Sequence, residues 1–209
     1  MKKGGVIVWV VGDATKNGSE TGSSFRQALY FKDECGFNLH DTMIYQKNGS
    51  SYPEKVRYYQ CFEYMFIFSK GKPKSINLIK DRKNKWFGSW GKRSTRNKKG
   101  DLEIREKIPC QKYGIRFNIW KINTGYGFST KDKIAFKHPA IFPEQLAHDH
   151  IISWSNEQDL VLDFLSGSGT TLKMAEKLNR KWIGIEKNPT YCEIAEQRII
   201  KETEQLEMF

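Results

Sequence analysis

With 209 residues the chain can bury a core, as one generous domain or as one domain carrying an insert. The apolar run Val6 to Val11 is too short for a signal peptide or a membrane span, and the four cysteines, Cys35, Cys61, Cys110 and Cys192, form no CxxC pair, so a secreted disulfide scaffold and a zinc site are both disfavoured and a cytoplasmic protein is expected. The net charge of +11 is concentrated: between Lys70 and Lys137 stand 20 Lys/Arg against 5 Asp/Glu, which leaves the rest of the chain acidic on balance.

In chain order, VIVWVV (Val6 to Val11) suits a strand buried on both faces. Asp13, just past it, has two readings, a ligand contact or a helix cap. Phe25, Ala28 and Leu29 recur at helical spacing before Gly36, a plausible helix stop. LHDTMIY (Leu39 to Tyr45) and CFEYMFIF (Cys61 to Phe68) are the next strands, joined by a Gly/Ser/Pro loop around Asn48 to Pro53. The basic segment follows, with Trp86, Phe87, Trp90, Tyr113, Phe117, Trp120, Tyr126 and Phe128 among its charges. Cations neutralise phosphates and aromatic faces stack on unpaired bases, so Lys83, Lys85, Trp86, Trp90, Lys92, Arg93, Arg96, Lys98 and Lys99 are expected to contact nucleic acid. Asp81 and Arg82 read as ordinary surface charges. His148 and His150 in LAHDHII face apart on a helix, at i and i+2, and no metal site is expected.

DLVLDF then reads as a strand that ends in GSGTT, with Leu172, Ala175 and Leu178 on one stripe of a following helix. WIGIE (Trp182 to Glu186) is a further strand, and Tyr191, Ile194, Ala195 and Ile199 mark a last helix. That helix begins either at Asn188 with Pro189 behind it, or at a capping box of Thr190 and Glu193. Strand, glycine turn, helix and acid-ended strand make a βαβ unit for a nucleotide-like ligand: Gly167 and Gly169 permit close backbone approach, and the helix points amide donors at it. Glu186, 23 residues after Asp163, stands where a Rossmann-type site accepts ribose hydroxyls. No lysine follows Gly169 and Leu172 occupies the third glycine position, so triphosphate and dinucleotide both lose ground. A carboxylate just ahead of the glycines suits an ammonium-bearing ligand, and S-adenosylmethionine has both that amine and a ribose.

HPAIFPEQLAHDHIISWSNEQDLVLDFLSGSGTT and RKWIGIEKNPTYCEIAEQRI resemble the amino-DNA methyltransferases that modify adenine-N6 or cytosine-N4, in the permuted branch whose cofactor half follows the recognition region. The resemblance implies an α/β, Rossmann-like methyltransferase sheet, divided into catalytic-half strands (1–69), a basic target-recognition insert (70–137) and an S-adenosylmethionine-binding half (138–209). It further implies that Asp163, Phe164, Gly167, Ser168, Gly169, Thr170 and Thr171 hold the methionine end of the cofactor. Glu186 with Lys187 would hold the ribose, and His138, Pro139, Phe142 and Glu144 would close over it. GGVIVWVVGDAT and TMIYQKN look like strands of the catalytic half.

Two departures stand out. Phe164 and Leu165 follow Asp163 where the family usually has Pro-Phe, a swap among apolar residues. The family's catalytic signature, Asp, Asn or Ser followed by Pro-Pro and an aromatic, is missing: the prolines at 53, 73, 109, 139, 143 and 189 include no adjacent pair. That motif accepts hydrogen bonds from the exocyclic amine and stacks on the flipped base. Catalytic residues are therefore unassigned. The strand that carries the motif in the family lies between the strand ending at Asp163 and the strand Val6 to Val11, and both should expose unpaired edges. A fragment of a longer enzyme, or one half of a split enzyme completed by another chain or a second copy, is expected. The rival readings are a non-catalytic remnant or specificity partner that binds DNA and cofactor, and an RNA methyltransferase. The tail Gln205 to Phe209 resembles peptides that dock into bacterial sliding clamps, or else packs on its own domain.

Overall fold

A computed structural model describes residues 1–49, 55–88, 93–105 and 109–207, and no helix among them is long and apolar enough to cross a membrane. Two units emerge, one formed by Met1–Asn77 with Asn118–Phe209 and the other by Leu78–Phe117. The larger is built from β1 (Val6–Val11), α1 (Ser23–Leu29), β2 (Asn38–Gln46), β3 (Phe62–Ser69), β4 (Ile119–Lys121), α2 (Glu144–Trp154), β5 (Leu160–Asp163), α3 (Thr170–Lys177), β6 (Lys181–Gly184) and α4 (Pro189–Glu207). The basic stretch 70–137 and the smaller unit do not coincide. Residues 118–137 rejoin the larger unit, because Ile119 to Lys121 pair in parallel with Ile44 to Gln46 and bury Trp120.

Four strands form one sheet in the order β1-β3-β2-β4, and β5 and β6 form a separate parallel pair. β1, expected to be buried on both faces, has no buried residue, because only one of its edges is paired among the described residues. β3 is central instead and carries a run buried on both faces, Met65 to Ser69. On one side Phe66 and Phe68 meet Ala28 of α1, with Ile7, Trp9, Val11, Phe31 and Phe37 packed around them. On the other side Met65 lies against His150 of α2, whose Nε2 is 3.2 Å from the sulfur and whose ring packs on Trp120 at 4.5 Å. Burial pushes the His150 imidazole down to about 3, although Asp149 opposes this, so the ring is neutral and serves as core. His148 turns instead to Asp149, and no metal-holding cluster occurs among the described residues.

The helix expected before Gly36 is α1, continued by a wider turn over Tyr30–Glu34 to Cys35 and Gly36, whose φ is +67°. Its start is fixed by Asp13. One carboxylate oxygen accepts from the Thr21 hydroxyl (3.0 Å), the Ser23 hydroxyl (2.9 Å) and the Ser24 amide (3.1 Å), and the other accepts from the Ser24 hydroxyl. Of the two readings of Asp13, the cap is the one seen. Burial would raise this carboxyl, but the hydrogen bonds from Ser24, Ser23 and Thr21 outweigh it and hold the group well below the ordinary aspartate value. A group depressed in the folded state stabilises the fold above its unfolded value, near 4, and this contribution disappears as pH falls through the folded value. Asp13→Asn should therefore be clearly less stable than wild type in urea at pH 7, with the difference shrinking below about pH 4. A difference independent of pH would rule out the carboxylate as its source.

Among the described residues β1 pairs only with β3, and β5 only with β6. Both expected open edges are present. Trp9 of β1 stacks on Phe164, one residue past β5, with ring centroids 6.1 Å apart, a side-chain contact without backbone pairing. Leu160, Leu162, Phe164, Leu165, Ile183 and Ile185 around β5 and β6 are about half exposed or more. Val161 and Trp182, which alternate with them, pack on Ala147 and Ile151 of α2 and on Met174 and Ala175 of α3. One face of the β5–β6 pair is thus covered by helices and the other is left open by the described residues.

Candidate functional site

The turn between β5 and α3 has two glycines in the left-handed region, Gly167 at φ +50° and Gly169 at φ +75°. Each also lacks room for a side chain. A Cβ on Gly167 would lie 2.9 Å from His138 Nε2, and one on Gly169 would lie 2.6 Å from the Cβ of Ala195 on α4. The turn is therefore wedged between the His138 segment and α4. α3 begins directly behind it at Thr170, with Lys173 N donating to Gly169 O at 2.9 Å.

Glu186 closes the turn from the β6 side. Its two oxygens accept from Gly167 N (3.0 Å) and Asn188 N (2.9 Å), and lone pairs remain on the carboxylate. The Asn188 amide is the largest influence holding this carboxyl below the usual glutamate value; Gly167, Lys187 and His138 add to it against desolvation. Asn188 also caps α4, its Oδ1 accepting from Thr190 N at 3.0 Å with Pro189 first in the helix, so the Asn-Pro start is realised and Thr190 lies inside. At β5, Asp163 accepts from Leu165 N at 3.1 Å through one oxygen. His138 packs edge-on against Tyr191 of α4 at 4.4 Å, and its Nδ1 accepts from Ala140 N.

The rest of the HPAIFPE segment goes elsewhere. Pro139 is exposed, Phe142 packs with the α2–α3 core cluster, and Glu144 enters a buried ionic group. That group centres on Arg198 of α4, 1% exposed, which sequence reasoning missed. Arg198 donates to Asp132 (3.2 Å) and Glu144 (2.8 Å), and to Ser168 O (2.6 Å), Ser168 Oγ (3.2 Å) and Thr170 Oγ1 (3.1 Å) of the turn. Lys173 reaches Asp132 at 2.7 Å and Glu144 at 3.0 Å. Burial would lower the Lys173 ammonium, but the two carboxylates overcome this and hold it above the ordinary lysine value. One signal could have exposed Arg198. It lies three, four and seven residues after Ala195, Ile194 and Tyr191, on the buried stripe of α4, and a charge there must be paired.

In the smaller unit, Arg82–Lys83 pair antiparallel with Tyr113–Gly114, and Arg93–Arg96 with Leu102–Arg105. Asn97 shapes the tip of the second hairpin, its Oδ1 accepting from Lys99 N and Asp101 N, which presents Lys98 and Lys99 as exposed side chains. Trp86 is 76% exposed, next to Lys85. Trp90 and Lys92 lie outside the described residues. Asp81 and Arg82 are not merely loose charges. Arg116 pairs with Asp81 at 2.9 Å through Nε, and Arg82 lies over the Phe117 ring at 4.7 Å and donates to Ile115 O, so both tie the two ends of the unit's own chain together. α4 ends at Glu207, and the clamp-like tail falls partly outside the described residues.

Residues 1–197 match the family model described as DNA methylase, of the N6/N4 type. The orphan methyltransferase M.BamHII of Bacillus amyloliquefaciens is 62% identical over 204 residues, spanning 95% of this chain and 76% of that protein. The type II methyltransferase M.SmaI of Serratia marcescens is 29% identical over 182 residues, 86% of this chain but only 52% of its own length. In fold, the PvuII DNA methyltransferase (cytosine-N4-specific) superposes with a TM-score of 0.69 at 24% identity, covering 98% of this chain and 69% of that one. The M1.HpyAVI–SAM complex follows at 0.59 and 24%, covering 95% and 76%. The chain belongs to the N6/N4 family of S-adenosylmethionine-dependent DNA methyltransferases.

Proposed function

We propose that this chain seats S-adenosylmethionine on the Gly167–Thr171 turn, grips DNA through residues 78–117, and serves methyl transfer to the exocyclic amine of adenine (N6) or cytosine (N4). The convergence of Asp163, Glu186 and two side-chain-free glycines on one turn at a helix start carries the cofactor reading. When bound, S-adenosylmethionine supplies a methyl group on a sulfonium, open to in-line attack. Asp163 has an oxygen beyond the one tied to Leu165 N with which to take an ammonium, and Glu186 has lone pairs left for ribose hydroxyls. His138 flanks the glycine turn, with Pro139 beside it. Phe142 and Glu144 support the segment from the helix side. Lys83, Lys85, Arg96, Lys98 and Lys99 give the smaller unit the charge to neutralise phosphates, with Trp86 exposed among them for stacking.

In calorimetric titration, Asp163→Ala and Glu186→Ala should each weaken S-adenosylmethionine binding by about 10- to 100-fold, the worth of hydrogen bonds to a charged group. Unchanged heats in both variants would defeat the assignment.

The group that orients the amine is the second part of the proposal. No adjacent proline pair occurs in the 209 residues, and among the described residues β1 and β5 each present an open edge. A strand from polypeptide beyond these residues, whether of a longer chain or of a second one, adds to those edges and brings the amine-orienting residues.

A further inference from the structure

We propose that Arg198 is a positioning residue for the cofactor turn: it clasps Ser168 and Thr170 from behind and holds the Gly167–Thr171 backbone in its ligand-accepting shape before any ligand arrives. This rests on the cofactor reading above. A left-handed turn with two glycines has much backbone freedom to lose, and ordering it on binding would weaken affinity. Here the ordering is done in advance. The guanidinium is fully buried and spans two sets of partners. Asp132 and Glu144 hold Nε and Nη2, while Nη1 is given to Ser168 O, Ser168 Oγ and Thr170 Oγ1. The planar fork fixes one set relative to the other, which a lysine, a point charge on a flexible stem, does not do.

The supports come from several segments. Asp132 lies just before the 3₁₀ turn Lys133–Lys137, Glu144 opens α2, and Lys173 on α3 bridges both carboxylates. Thr130 Oγ1 donates to Glu144 at 2.6 Å, and Lys201 flanks Asp132 at 3.4 Å. Glu202, 4% exposed, pairs with Lys177 at 3.0 Å and lies 3.5 Å from Lys173, within the same group but without a bond to the turn. No ligand contact is asked of Arg198, since it has no surface to offer.

The test uses Arg198→Lys, which keeps the charge beside Asp132 and Glu144 but loses the fork, and Glu202→Gln, which perturbs the group away from the turn. Binding of S-adenosylmethionine is measured by calorimetry. Amide hydrogen exchange of the 166–171 segment is measured without cofactor. Arg198→Lys should weaken binding about 10- to 100-fold, as loss of a residue that orients a binding shell does, and should speed exchange in the turn of the cofactor-free chain. Glu202→Gln should lower the unfolding temperature without either effect. Should Arg198→Lys fail to fold, Asp132→Asn loosens the guanidinium from the side away from the turn, and a several-fold loss of affinity with faster turn exchange is expected. Unchanged affinity and exchange in the folded variant, or equal losses in Glu202→Gln, would overturn the clasp while leaving the cofactor site standing. A wild-type chain that takes up no S-adenosylmethionine overturns the site reading itself.

Discussion

Gly169→Ala is expected to abolish measurable S-adenosylmethionine binding and to cost about 2–5 kcal/mol of stability, from left-handed strain of about 1–2 kcal/mol plus overpacking of about 1–3 kcal/mol. The added methyl would stand 2.6 Å from Ala195 Cβ and 3.0 Å from its Cα. A backbone atom of α4 cannot rotate aside, so either the helix or the turn must move, and both carry the site. Two comparisons isolate the causes. Gly36 has a similar φ of +67° with nothing within 4 Å of a Cβ, so Gly36→Ala should show only the conformational strain and leave cofactor binding intact. At Gly167 the nearest atom is His138 Nε2, the end of a side chain that can swing away, and Gly167→Ala should fall between the two. Urea unfolding and calorimetry on the three variants check the order. Equal effects at Gly169 and Gly36 would mean that α4 does not press on the turn.

The same turn shows what could be read from sequence. Its glycines, the acid before it and the acid after the next strand have fixed local consequences, so the βαβ unit was legible from spacing, whereas the bond from Gly167 N to Glu186 emerged only in the structure. The unbroken apolar run Val6 to Val11 does form a strand, but its expected burial on both faces is not met. None of its residues is buried and Val10 is 37% exposed, because β1 has only one strand neighbour among the described residues, and two-faced burial falls to β3 instead. Less legible was what depends on partners far along the chain. Phe25 and Leu29 recur at helical spacing, yet only Ala28 of the three is buried, because a short helix at the rim of a small sheet covers one narrow strip. Glu144 was assigned from its motif to the ligand side, but three donors, on Thr130, Lys173 and Arg198, converge on it. Asp13 could be resolved only once three hydroxyls, none adjacent to it, were brought around it. The basic stretch 70–137 and the compact unit Leu78–Phe117 differ for a similar reason. Charge continues past Phe117, but Trp120 is drawn into the core by pairing with β2.

The buried ionic group and the bare sheet face stand in energetic contrast. Desolvating Asp132, Glu144, Lys173 and Arg198 is costly, and such a group is weak evidence for stability by itself. Its location behind the turn suits fixing a shape better than adding stability. The face of β5 and β6 bearing Leu160, Leu162, Ile183 and Ile185 is the reverse case, apolar surface whose burial would be favourable and which the described residues leave open. Full burial of one such side chain is worth about 1.5–3 kcal/mol.

That contrast sets the largest expected effect on activity. With labelled S-adenosylmethionine and mixed-sequence duplex DNA, the chain alone should transfer essentially no methyl groups. Adding a polypeptide that carries a strand with Asp, Asn or Ser followed by Pro-Pro and an aromatic should restore transfer. The physical reason lies in the division of labour. Positioning of reactants accounts for about 7–11 kcal/mol of a barrier, and a bound cofactor next to bound DNA captures none of it unless the amine is held in line with the sulfonium. Among the described residues the edges of β1 and β5 are open, and an added strand would satisfy their unpaired amides and carbonyls. Three outcomes are distinguishable. Activity only on addition, together with slowed amide exchange in β1 and β5, supports completion of the sheet. Activity without addition means that a residue already in the chain orients the amine. Binding of cofactor and DNA with no transfer in either arm, and no protection of the two edges, would make the chain a binding partner that does no chemistry.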